Sequence, residues 1–169
     1  MLSSTMSEAL NAHLGREQYS AQLYLSMSAY AANSGMKGAA NWFQIQFREE
    51  MLHFMKFYSY LVSHGTAVRL PEVPAPPFAF ASLLDAFEQT LDHEQKVTRW
   101  INELADLALA ERDHATSIFL QWFITEQVEE EENAREIIAK LRLIGDNGQG
   151  LLMLDKEFAA RTFVQPAGE

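Results

Sequence analysis

Residues 66–82, Thr-Ala-Val-Arg-Leu-Pro-Glu-Val-Pro-Ala-Pro-Pro-Phe-Ala-Phe-Ala-Ser, decide how this chain folds. Four of the five prolines (Pro71, Pro74, Pro76 and Pro77) fall inside this stretch, and the fifth is Pro166. Proline lacks a backbone donor and clashes with the preceding helical turn, so the stretch is not helix while the rest of the chain is free to be. Just after it, Ser82-x-x-Asp85 is a helix start signal, and just before it Gly65 is a stop. Further out, the capping box Thr5-x-x-Glu8 opens a helix that ends near Ser34-Gly35, and Gly145 closes another. The spacing predicts helices over about 6–34, 37–64, 82–110, 113–144 and 148–161 in a single domain over 1–169. The last helix is short and carries Leu151, Leu152, Leu154 and Phe158.

Connection lengths set the topology. The first and second helices, and the third and fourth, are joined by a few residues, so each pair is antiparallel. The middle connection of about 17 residues spans up to about 55 Å when extended. A helix of about 28 residues is roughly 40 Å long. The connection therefore runs the length of the bundle and leaves the second and third helices parallel. The expected fold is all-α: a four-helix bundle with one long crossover and a short C-terminal fifth helix.

Composition narrows the function classes. Hydrophobic residues make up 48% of 169, which suits one folded core rather than disorder. No apolar run approaches the roughly 20 residues that span a bilayer, and Met1 to Met6 lacks the basic and apolar regions of a secretory signal. The absence of Cys excludes disulfides, thiolate metal sites and cysteine nucleophiles. A cytoplasmic protein with no membrane partner is expected. A formal charge of -10 argues against binding nucleic acid.

Each long helix carries a core stripe at 3–4 spacing. The stripes are Leu10, Leu14, Glu17, Ala21, Tyr24, Ser28; Phe43, Phe47, Glu50, Phe54, Phe57, Leu61; Phe87, Leu91, Glu94, Thr98, Ile101, Ala105; and Thr116, Phe119, Phe123, Gln127, Glu130, Ala134, Ile137, Leu141. Every stripe is interrupted near its midpoint by a glutamate. Midpoints of equal helices meet whichever way the helices run, so Glu17, Glu50, Glu94 and Glu130 converge in an apolar core. Burying one unpaired charge costs several kcal/mol, and repulsion adds to it. No stripe supplies a Lys or Arg at this level; Arg48 lies off the Glu50 face. Metal ions are the simplest compensation.

Neighbouring residues narrow the metal. Glu50-x-x-His53 puts a carboxylate and an imidazole one turn apart, and Gln127-x-x-Glu130 repeats the offset on the fourth helix. One nitrogen, several carboxylate oxygens and no sulfur suit Fe or Mn, and Zn less well. The general di-iron bundle has Glu-x-x-His on two helices; here only one has it, so a second metal is held by oxygen alone. Glu49, Glu126 and Glu129 sit beside core ligands and project to one side. They are open to two readings, a third metal position or exit path, and ordinary surface acids. Glu131 and Glu132 read as a solvated face.

With Glu17, Tyr24, Glu49-Glu50-x-x-His53, Glu94 and Glu126-Gln127-x-Glu129-Glu130 in order on the expected helices, the chain resembles the bacterial non-haem ferritins from Met6 to about Arg161. The resemblance implies a ferritin-like bundle with a dinuclear ferroxidase centre. One iron would be held by Glu17, Glu50 and His53, and the other by Glu50, Glu94 and Glu130 with Gln127 nearby. A third iron site would use Glu49, Glu126, Glu129 and Glu130. It further implies a homo-oligomeric shell of 24 subunits in which Fe(II) is oxidised by O2 or H2O2 and stored as ferric mineral. Tyr24, seven residues after Glu17 and on its face, would hydrogen-bond a ligand and supply an electron; its alternative is a core aromatic.

Other residues carry less. Trp122 has an assisting role or a packing role open to it; Trp42 and Trp100 read as packing or interface residues. His114, with Glu111 and Asp113, stands at the start of the fourth helix, where ferritins line a channel, but acids are favoured at any helix start. His13, His64 and His93 read as structural or exposed. A haem-containing bacterioferritin would have a histidine where Glu130 stands, so haem is not expected despite Met51. A DNA-protecting mini-ferritin would lack the fifth helix. A metal-free helical interaction protein leaves four mid-core glutamates unexplained, and an organic-substrate di-iron enzyme would need the second Glu-x-x-His.

Overall fold

The computed structural model describes residues 2–164; Pro166 and the remainder of the expected domain, Met1 and 165–169, lie outside the described residues. Five helices follow in order: α1 (Ser4–Asn33), α2 (Lys37–Ser63), α3 (Leu83–Ala110), α4 (His114–Ile144) and α5 (Gly148–Ala159). The described residues are all-helical apart from connections.

Caps set the ends. The Ser82 hydroxyl accepts from Asp85 N, and the Asp85 carboxylate accepts from Ala81 N, a reciprocal arrangement that starts α3 as the start signal predicts. Asp113 caps α4 through Thr116 N, and Asn147 caps α5 through Gln149 N and Gly150 N. At α1 the expectation fails: Ser3, not Thr5, is the cap, accepting from Met6 N. Beginning earlier packs Leu2 and Met6 into the core. At the other end α5 stops at Ala159, short of Arg161, because Asn41 Nδ2 donates to the carbonyls of Phe158 and Arg161 and draws the chain away.

Cross-helix pairs give the directions. Ser28 meets Ala40 and His13 meets Phe57, so α1 and α2 are antiparallel. Ser3 meets Glu111, Ser20 meets His93 and Thr90 meets Met27, so α1 and α3 are antiparallel as well. It follows that α2 and α3 are parallel. Glu88 pairs with Arg142 and Thr98 with Glu131, which makes α3 and α4 antiparallel.

The crossover climbs alongside α1. Asn11 holds its lower end, donating to Ala67 O and accepting from Arg69 N. Gly15 lets Pro71 close in, since a Cβ there would lie 2.3 Å from the proline ring. Ser26 donates to Pro77 O near the top, and Tyr30 packs edge-on against Phe80. Helix α5 folds back on α2. Gly38 permits that approach, since a Cβ there would stand 1.7 Å from Asp155 O. Met36 offers α2 no side-chain cap, and Asp155 supplies one from α5 by accepting from Ala39 N at 2.8 Å.

The apolar interior divides into two clusters. One contains Tyr24, Phe43, Phe87, Ile137 and Phe158; the other contains Leu14, Phe57, Ile101, Leu120 and Phe123. Along every long helix the polar interruption falls between a member of one cluster and a member of the other. These buried polar residues therefore form one slice between two apolar halves of the bundle.

Candidate metal centre

The four helices deliver Glu17, Glu50, Glu94 and Glu130 to that slice with 1, 2, 1 and 5% exposure, alongside buried His53 and Gln127. Ligand atoms of Glu17, Glu50 and His53 all lie within 4.8 Å of one another, the one such group among the described residues. His53 Nδ1 is 3.4 Å from Glu50 Oε2 and 3.7 Å from Glu17 Oε2. Both oxygens of Glu17 are buried without an aligned hydrogen-bond donor. Two hard carboxylates and one imidazole around buried, unsatisfied oxygens suit a divalent ion such as Fe(II).

Glu94 and Glu130 are held differently. Tyr24 donates its hydroxyl to Glu94 Oε1, and Gln127 Nε2 donates to Glu94 Oε2 at 3.0 Å and to the Glu94 carbonyl at 3.2 Å. Gln46 Nε2 donates to Glu130 Oε2 at 2.8 Å. These two carboxylates complete the charge cluster without joining the tight group.

The electrostatics follow from burial and crowding. Burial pushes Glu50 up to about 8, with Glu17 and Glu130 adding to the rise and His53 opposing it. Burial and then the Glu50 charge push Glu94 up to about 8, against the hydrogen bonds from Tyr24 and Gln127. Burial, followed by Glu94 and Glu49, takes Glu130 to about 8. Glu17 goes the other way: burial would raise it, but His13 and His53 together hold it below the usual carboxylate range. Tyr24 is pushed well above its ordinary value by burial and by Glu94, Glu50 and Glu130, so it remains a neutral phenol. Burial and mutual repulsion thus favour the protonated forms of Glu50, Glu94 and Glu130.

The lateral acids are less gathered. Glu49 and Glu126 are partly buried and Glu129 is exposed. Burial raises both Glu49 and Glu126, and the charges of the neighbouring lateral acids, Glu126 on Glu49 and Glu129 on Glu126, add to the rise. The four stripes supply no Lys or Arg at this level, but a cation reaches its edge from elsewhere in the chain. Arg161, just beyond α5, reaches Glu49 at 2.7 Å while its guanidinium stacks 4.6 Å over Trp42. It arrives from outside the four stripes, where helical spacing cannot reveal it.

Three further residues contact the layer. His13 is buried one turn before Glu17, its Nε2 2.7 Å from Glu17 Oε1. Gln46 precedes Glu50 by one turn. Both lie at an i,i+4 offset that was legible as a shared face. Thr98 accepts from Gln127 Nε2 at 3.3 Å and donates to Glu131 at 2.7 Å, linking α3 to α4 beside the layer.

Trp122 stands edge-on to His53 at 5.3 Å with Lys56 over its ring at 4.4 Å, Trp42 is buried against Phe43 and Phe87, and Trp100 lies under Arg16. His93 is buried, 2.8 Å from Ser20 Oγ, and burial lowers it to about 4, so it is neutral. His114 is exposed and His64 partly buried; Asp113 is used as a cap and Glu111 accepts from Ser3. Met51 is partly buried.

A four-helix bundle with one long crossover and carboxylates with an imidazole in its middle layer defines the ferritin-like class of protein. The family described as "Ferritin-like domain" matches residues 7–144. The bacterial non-heme ferritin of Staphylococcus aureus (strain USA300) is 40% identical over 163 residues, covering 96% of this chain and 98% of the relative. That of Staphylococcus haemolyticus is 39% identical with the same coverage. Among solved structures, a closed form of the Archaeoglobus fulgidus ferritin engineered by mutagenesis superposes with a TM-score of 0.96 and 46% identity, over 97% of this chain and all of the other. The open-pore ferritin of Archaeoglobus fulgidus gives 0.95 and 46%, over 96% of this chain. The chain belongs to the ferritin family.

Proposed function

We propose that this protein is an iron-storage ferritin that oxidises Fe(II) at a dinuclear ferroxidase centre and deposits ferric mineral inside a homo-oligomeric shell of 24 subunits in the cytoplasm. The observation that carries the reading is the buried Glu17–Glu50–His53 group, in which both Glu17 oxygens lack aligned donors in a water-excluded layer. Fe(II) is the substrate. The first ion is taken by Glu17, Glu50 and His53. The second is taken by Glu50, Glu94 and Glu130, with Gln127 and Gln46 orienting the last two carboxylates.

The chain's own residues manage charge and protons. Burial and crowding raise Glu50, Glu94 and Glu130 toward their protonated forms, and an arriving cation displaces the protons they hold. Each Fe(II) gives up one electron. Two electrons and two protons convert O2 to H2O2, or convert H2O2 to two water molecules. Tyr24, hydrogen-bonded to Glu94, can replace one iron as electron donor when H2O2 meets a centre holding a single Fe(II): one electron from Fe(II), one from the phenol and two protons, one of them the phenol's, give two water molecules. Glu49, Glu126 and Glu129, with Glu130, form a third site on the way out of the centre, where Arg161 competes for Glu49.

Crystals soaked in Fe(II) without oxygen test the reading by iron anomalous scattering. Iron is expected at the Glu17–Glu50–His53 position and beside Glu94 and Glu130; no iron peak in this layer refutes it. In solution, Glu50→Ala should abolish rapid Fe(II) oxidation while the helical spectrum is retained, because it removes repulsion along with a ligand.

A further inference from the structure

His13 is fully buried on α1. Its Nε2 lies 2.7 Å from Glu17 Oε1, yet neither ring nitrogen has an aligned hydrogen-bond partner, and neither does either oxygen of Glu17. The ring is locked from the other side by Phe57, 4.6 Å away between centroids. A buried imidazole without partners is costly, so its position calls for a role.

The two oxygens of Glu17 are divided between two histidines. Oε1 faces His13, and Oε2 faces His53 Nδ1 at 3.7 Å. His13 does not belong to the group whose ligand atoms lie within 4.8 Å of one another, so it is not placed to bind the same ion as Glu17, Glu50 and His53. The terminal torsion of a glutamate is soft, so a small turn of the carboxylate aligns Oε1 with the imidazole N–H.

We propose that His13 is a positioning residue for the first metal position: its Nε2–H holds Glu17 Oε1, so that Glu17 meets the cation through Oε2 alone. This rests on the assignment of Glu17, Glu50 and His53 as metal ligands. A carboxylate anchored through one oxygen is a one-point ligand, which leaves a coordination position open for oxidant or water. Released from that anchor, the same carboxylate can turn and chelate through both oxygens. Partners of this kind, one step removed from the ion, orient ligands, and their loss costs about 10- to 100-fold in metal affinity.

The test uses the full-length protein, Co(II) as probe, calorimetry for affinity and visible absorption for coordination number. Glu17→Gln checks the underlying site, while His13→Leu and His13→Gln check the proposal. Leucine fills the volume without a donor, and glutamine restores an N–H. His13→Leu is expected to weaken the first Co(II) by about 10- to 100-fold and to lower its visible band intensity as Glu17 becomes bidentate. His13→Gln is expected to keep most of the affinity and the parent band. If Glu17→Gln weakens binding while His13→Leu binds Co(II) like the parent with an unchanged band, His13 has no positioning role. If His13→Gln loses as much as His13→Leu, shape rather than the hydrogen bond is responsible and the proposal falls. If Glu17→Gln itself leaves Co(II) binding unchanged, the metal assignment fails and takes the proposal with it.

Discussion

Replacing Glu130 by glutamine isolates the cost of keeping a carboxylate in the metal-free layer. The substitution preserves shape, and the new amide oxygen can still accept from Gln46 Nε2, the partner of Glu130 at 2.8 Å. In the folded protein Glu130 is pushed up to about 8 from an ordinary value of 4.5. Between those pH values the folded state keeps a proton that the unfolded state has released, so folding stability falls as pH rises through this window. Each tenfold difference in proton affinity between the two states corresponds to about 1.4 kcal/mol, which for an isolated group half titrated at pH 8 amounts to a ceiling of about 4 kcal/mol. Glu94 and Glu49 share the repulsion and relax when one charge disappears, so we expect roughly 2–4 kcal/mol. For a chain of this size that is roughly 5–15 °C in melting temperature. Thermal melts followed by circular dichroism in chelator, at pH 5.5 and pH 8, measure it. The parent should melt lower at pH 8 than at pH 5.5, and the variant should be close to the parent in acid and clearly more stable at pH 8. An advantage of equal size at both pH values would refute the reasoning, since it would mean that Glu130 does not titrate in this range.

The same protonation predicts that Fe(II) binding without oxygen releases protons at pH 7 and tightens as pH rises toward 8, because Glu50, Glu94 and Glu130 must each lose a proton to bind; a pH-stat titration reads the release directly. Arg161→Gln removes the cation from Glu49 and should increase divalent metal occupancy beside Glu49 and Glu126 in anomalous maps, leaving the Glu17–Glu50–His53 position unaltered. Asp155→Ala takes away the cap that α5 gives α2 and should cost about 1 kcal/mol, seen as a small drop in melting temperature.

Helical spacing made much of the bundle and the glutamate set legible along the chain. The stripes through Glu17, Glu50, Glu94 and Glu130 were readable because the helical period of 3.6 residues is local, so a residue's face follows from its number. The crossover was readable because prolines at 71, 74, 76 and 77 forbid helix whatever surrounds them. Even the depth of the polar layer followed from counting to the midpoint of each helix. Local signals misled at the start of α1, where Ser3 and Thr5 both offer a capping hydroxyl and packing of Leu2 and Met6 chose between them.

Contacts between elements without a shared register were beyond such reading. Arg161 reaches Glu49 from a segment 112 residues away, after a fifth helix whose landing place depends on Gly38 and Asp155. Gln46 declares itself as a donor to Glu130 only once α2 packs beside α4, and Gln127 as a donor to Glu94 only once α3 packs beside α4. His13 shares a face with Glu17 in the bare sequence, but its missing partners become visible only when Phe57 closes over the ring. The local helical period settles which way a side chain faces; the meeting of its atoms with those of another element depends on the long-range packing of the whole bundle.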